Sequence, residues 1–129
     1  MGHYGRRERV DALISQFWKS GYLTISRKYG KYLPEPNPIG DYEVDVVAKF
    51  KKKMAIGVTL TKEELLDDNI ITRLRYLSSR HTRYTNNTVK LFVGVPRELM
   101  TKARFIVSEL GSTYSKNIKL VPLNENTGR

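Results

Sequence analysis

The chain has 129 residues, 23 of them lysine or arginine and 13 aspartate or glutamate, for a formal charge of +10. That length suits one domain with one modest core, and the positive excess favours an anionic partner such as nucleic acid over an acidic small molecule, because long-range attraction follows summed charge. The absence of cysteine excludes disulfides, thiolate metal sites and cysteine nucleophiles, and points to a cytoplasmic location. No apolar run approaches the ~18 residues of a membrane span.

Val10, Leu13, Ile14, Phe17 and Trp18 recur at helical spacing and Gly21 stands where a left-handed residue ends such a helix, which predicts a helix from about Arg6 to Ser20. Leu23 and Ile25 alternate with Thr24 and Ser26 as in a short strand. Pro34, Pro36 and Pro38 then force an extended loop. Asp41–Lys49 and Met54–Leu60 read as two strands of a hairpin, joined by a lysine-rich turn from Phe50 to Lys53. Thr61 and Glu64 have capping-box spacing, and Leu66, Ile70, Ile71, Leu74 and Leu77 mark the buried stripe of one long helix ending near His81.

Val89–Val95 is nearly continuous apolar sequence, as in a strand covered on both faces. Pro96 introduces a further helix with the stripe Leu99, Ala103, Ile106, Val107 and Leu110, stopped by Gly111. Ile118, Leu120 and Pro122 suggest an edge strand, and 124–129 is a polar tail. The expected fold is one α/β domain over 1–129, in the order αβββαβαβ, with a central mixed sheet flanked by helices.

This order, with an acidic residue at the start of the hairpin, resembles the PD-(D/E)XK nucleases and implies a restriction-endonuclease-like core. Asp45-Val46-Val47-Ala48, a basic turn, and Ala55-Ile56-Gly57-Val58-Thr59 resemble the archaeal Holliday junction resolvase pattern Asp-Ile-Val-Ala, basic turn, Ile-Glu-Val-Lys; Gly21-Tyr22 resembles the Gly-Phe that ends that family's first helix. The resemblance covers roughly two thirds of the chain. It implies that Asp45 stands at the metal-binding aspartate, where a divalent ion, usually magnesium, activates water and stabilises charge on the phosphate. Gly57 then stands in place of the second acid and Thr59 in place of the lysine. Glycine has no ligand atom and threonine no charge, so the cutting centre is degenerate.

A rebuilt centre is the alternative: Glu43, two positions from Asp45 along its strand, as a second metal ligand, Glu8 from the first helix, and Lys62, just past the strand, as a migrated lysine. Counting back from Gly21, the family's first-helix glutamate falls on Val10, so Glu8 serves only in another register. Gly57 in a buried strand marks a bulge or the close approach of another group.

Arg73, Arg75, Arg80, His81 and Arg83 cluster on and after the long helix with Tyr76 and Tyr84 between them, as a phosphate-binding and stacking surface requires; a solvated helix face is the plainer reading. Arg6, Arg7 and Arg9 form a second patch, and Lys49, Lys51, Lys52 and Lys53 a third. His3 and His81 have no carboxylate at metal spacing, and no phosphate-cradling glycine loop, GxSxG or HExxH occurs. The chain is therefore expected to bind DNA or RNA without cutting it, and the resemblance implies a homodimer. The rivals are a magnesium-dependent endonuclease on the rebuilt centre and a module that meets an acidic protein.

Overall fold

A computed structural model describes residues 5–83 and 85–123; the expectations placed on His3, Tyr84 and the tail fall outside them. Its elements are α1 (Arg6–Lys19), β1 (Leu23–Arg27), β2 (Val46–Phe50), β3 (Lys53–Thr59), α2 (Lys62–Leu65), α3 (Ile70–Ser78), β4 (Lys90–Pro96), a 3-10 turn (Arg97–Leu99), α4 (Met100–Ser108), α5 (Ser112–Ser115) and β5 (Ile118–Leu123). The strands form one sheet in the order β1-β2-β3-β4-β5. β1, β2 and β3 are antiparallel neighbours, whereas β4 runs parallel to both β3 and β5. The domain is thus α/β, with a mixed sheet flanked by helices.

Strand alternation sends side chains to opposite faces, and each face has its own core. On one, Val10, Leu13 and Phe17 of α1 meet Val46, Ala48, Ala55, Phe92, Val121 and Leu123. On the other, Leu65, Leu74, Leu77, Ala103 and Ile106 from α2, α3 and α4 meet Ile56, Val58, Leu91, Val93 and Val95. β4 is buried along nearly its whole length, in keeping with its uninterrupted apolar sequence. Pro122 is exposed on the edge strand β5, where a missing amide donor is tolerated.

The single long helix expected after β3 is two helices. Asp67 accepts a hydrogen bond from the Asn69 amide through Oδ1 (2.7 Å), a local side-chain bond that competes with helical pairing. Leu66, assigned by its spacing to the buried stripe, is therefore 48% exposed, and Leu65 is buried instead. α3 stops at Ser78, short of His81, which instead bridges to Thr88.

The strand expected from Asp41 begins only at Val46; before it, Ile39 and Tyr42 form an isolated bridge and Asp45 lies in a bend. Phe50 pairs with Lys53, so the hairpin closes on Lys51 and Lys52, with Lys51 at φ 55. A left-handed lysine costs about 1–2 kcal/mol where asparagine or glycine is the usual choice.

Candidate functional site

Because Asp45 precedes β2 in a bend, its carboxylate turns back onto the end of β3. Oδ2 accepts from the Thr59 amide (2.7 Å) and the Thr59 hydroxyl (3.1 Å), while the Asp45 amide donates to the Gly57 carbonyl (2.8 Å). The Lys28 amide, one residue past β1, donates to the Asp45 carbonyl (2.9 Å), and its Nζ meets Glu43 Oε1 at 2.7 Å. The two candidate metal ligands thus line one pocket of about 120 Å³, but Glu43 is tied to a lysine within it.

Arg6 and Arg9 enter this pocket from the first turn of α1, and Arg73 from α3. With Lys28 these cations outnumber the carboxylates there, Glu43, Asp45 and Glu64. Arg73 approaches Glu64 Oε2 only to 3.8 Å, and its buried Nε has no hydrogen-bond acceptor among the described residues. Glu64 Oε1 is held by the Thr61 amide in the capping box expected from spacing.

Burial pushes the Asp45 carboxyl above its ordinary pKa, outweighing the Thr59 hydrogen bonds and the Lys28 and Arg73 charges that favour ionisation. Lys28 moves up as well, because its hydrogen bond with Glu43 outweighs desolvation. Among the described residues no three histidine, aspartate or glutamate side chains are placed to hold a metal ion. The residues do not fit magnesium as they stand, since Glu43 is paired with Lys28, Asp45 Oδ2 already takes two hydrogen bonds from Thr59, and no third carboxylate completes a metal-holding group with them among the described residues.

The close approach signalled by Gly57 is that of α1. A Cβ built on Gly57 would lie 2.7 Å from Phe17 Cε2 and 2.8 Å from Leu13 Cδ2. Phe17 has little freedom to retreat, being fully buried and stacked on Phe92 at a centroid distance of 4.2 Å. A side chain at position 57 therefore has no room, and Thr59, which lines the pocket with Asp45, is bonded to that carboxylate.

Glu8 and Lys62 do not line the Asp45 pocket. Both lie with Arg7 along a wider adjoining cleft of about 770 Å³, between the starts of α1 and α2 and the Pro96 turn. Glu8 Oε1 accepts from the Gly5 amide (2.9 Å), capping α1. The arginines grouped along the second helix by sequence are separated in space: Arg73 joins the pocket, Arg75 lies over Tyr114 (5.8 Å) and Arg80 stacks on Tyr76 (3.9 Å) while donating to its carbonyl. Arg83 is exposed beyond α3.

Sequence reasoning did not single out Lys28, Tyr29 or the second role of Glu64. The only local signal for Lys28 is its position directly after β1, which acquires meaning once the β1–β2 register sets it beside Asp45. Among the described residues no helix is long and apolar enough to cross a membrane. No protein-family model, curated protein or solved structure matches the chain.

Proposed function

We propose that this chain binds nucleic acid through the sugar-phosphate backbone, on a restriction-endonuclease-like core whose hydrolytic centre is closed. The observation that carries the reading is the convergence of Arg6, Arg9, Lys28 and Arg73, from three separated stretches of sequence, on one cleft. Cations gathered around a concave surface attract phosphates without reading base sequence. The loss of cutting follows from position 57, where Phe17 and Leu13 fill the space an acid needs, and from Thr59, whose hydroxyl and amide both hold Asp45. DNA and RNA backbones are both ligands on this reading, and a homodimer belongs to it as the expected assembly.

The test is titration of labelled duplex, single-stranded and four-way-junction DNA across a range of salt, with cleavage followed in magnesium and in manganese. Binding whose affinity falls steeply with salt, without cleavage, is expected. Cleavage that EDTA and Asp45→Ala both abolish would mean that Lys28 and the surrounding carboxylates rebuild a metal centre, and would overturn the proposal. Absence of salt-sensitive binding would leave an acidic protein as the partner.

A further inference from the structure

A second surface lies at the opposite end of α1, about 20 Å from the cleft at ~1.5 Å per residue. There Trp18 is 70% exposed and Phe50 41%, high values for large aromatic side chains on neighbouring segments. The turn after α1 joins them: the Gly21 amide donates to the Trp18 carbonyl (3.0 Å), and the Phe50 ring lies 3.8 Å from where a Gly21 Cβ would stand. Leu23, also exposed, pairs with Lys49 and so faces the other side of the sheet from Phe50. Tyr22 holds the group to the core, meeting Phe50 edge-on at 6.2 Å on one side and Phe17 and Phe92 at 6.1 and 5.9 Å on the other.

Lysine is concentrated in the two segments that carry these rings. Lys19, Lys49, Lys51, Lys52 and Lys53 belong to the two segments 18–23 and 48–54, which contain no acid. Lys51 Nζ stands 5.4 Å from the Phe50 centroid, and its left-handed backbone puts a strained residue at the hairpin tip where glycine or asparagine would be relaxed. Exposed aromatic rings among cations suit an anionic polymer with unpaired bases: bases stack on the rings while phosphates meet the ammonium groups. A bilayer fits less well, because immersing Phe50 would strip water from the lysine above it.

We infer that the α1 C-terminal turn and the β2–β3 hairpin form a binding site for single-stranded nucleic acid, with Trp18 and Phe50 as stacking platforms. This rests on the nucleic-acid reading of the cleft and adds to it that the bound strand has unpaired nucleotides at this end of the domain.

Trp18 is the sole tryptophan, so its emission reports on this surface alone. The 129-residue chain is titrated separately with an oligothymidylate, a blunt mixed-sequence duplex and phosphatidylserine vesicles, while anisotropy of labelled DNA measures binding independently. The expected result is saturable quenching by oligothymidylate, stronger than by duplex and retained in an Arg6→Ala, Arg73→Ala variant. Trp18→Ala and Phe50→Ala should each weaken oligothymidylate binding roughly 5- to 150-fold with unchanged circular dichroism. If either aromatic variant misfolds, Lys51→Glu with Lys52→Glu, both at exposed positions, should reduce the quenching instead. Binding seen by anisotropy with constant Trp18 emission overturns this inference and leaves the cleft reading standing. A blue shift with vesicles and no response to oligothymidylate overturns it in favour of a membrane surface, and no DNA binding by either readout overturns both readings.

Discussion

Replacing Gly57 with alanine tests the contact by which α1 fills the space above β3. Gly57 lies within β3 and is not among the positive-φ glycines, so volume rather than backbone angle decides the outcome. The new Cβ would meet Phe17 Cε2 at 2.7 Å and Leu13 Cδ2 at 2.8 Å, whereas relaxed carbon contacts lie near ~3.5–4.0 Å. Overpacking of this kind costs about 1–3 kcal/mol. The upper part of that range applies, because both neighbours are fully buried and Phe17 is stacked on Phe92. Lower entropy of the unfolded chain returns about 0.4–1 kcal/mol. The net loss is therefore about 1–2.5 kcal/mol, or roughly 4–9 °C in melting temperature for a chain of this size. Urea and thermal melts of Gly57→Ala, Phe17→Leu and the double variant form a cycle, and the smaller side chain at 17 should relieve about 1 kcal/mol of the alanine's cost. A neutral or stabilised Gly57→Ala would refute the packing argument, and with it the claim that position 57 has no room for a metal ligand.

Arg73→Ala should weaken DNA binding at every sequence and reduce the slope of log affinity against log salt by about 1, measured by anisotropy at several salt concentrations. Asp45→Asn should tighten DNA binding roughly 3- to 10-fold at neutral pH by removing a negative charge from the pocket; unchanged or weaker binding counts against the phosphate reading. The same substitution tests the raised pKa of Asp45. The folded chain keeps this proton over a pH window in which the unfolded chain has lost it, so the carboxyl's contribution makes stability fall as pH rises from the ordinary carboxylate value to the raised one. Urea melts across acid pH should show that component in the native chain and lose it in Asp45→Asn. Lys51→Gly should stabilise the hairpin by about 1 kcal/mol by relieving the left-handed lysine, read as a higher urea midpoint. Thr61→Ala should cost about 1 kcal/mol in the same melt, because the Glu64 amide loses its cap.

Much of the fold was legible because its signals are local. The stripe from Val10 to Phe17 makes a helix with one buried face, the run from Leu91 to Val95 makes a strand buried on both, and Gly21 and Gly111 do end or follow helices at positive φ. The break between α2 and α3 was present in Asp67-Asp68-Asn69 but was outweighed by an apolar periodicity that continues through it. The parity argument that set Glu43 beside Asp45 agrees with the shared pocket, although both residues precede β2 and Asp45 lies in a bend. In the candidate site Asp45, Arg6, Arg9 and Arg73 were identifiable by type, but their shared destination was not.

By itself the sequence determined most of the helix and strand segments, the two-sided burial of β4, the lack of a charged side chain at 57 and 59, and the strongly basic balance. Only the tertiary structure decided that Lys28 stands beside Asp45 and Glu43, that Phe17 fills the space above Gly57, and that the arginines around α3 part company. The physical reason is range. Backbone preference and side-chain periodicity act over a few residues, whereas a pocket forms where the β1–β2 register, the docking of α1 and the bend before β2 bring distant residues together.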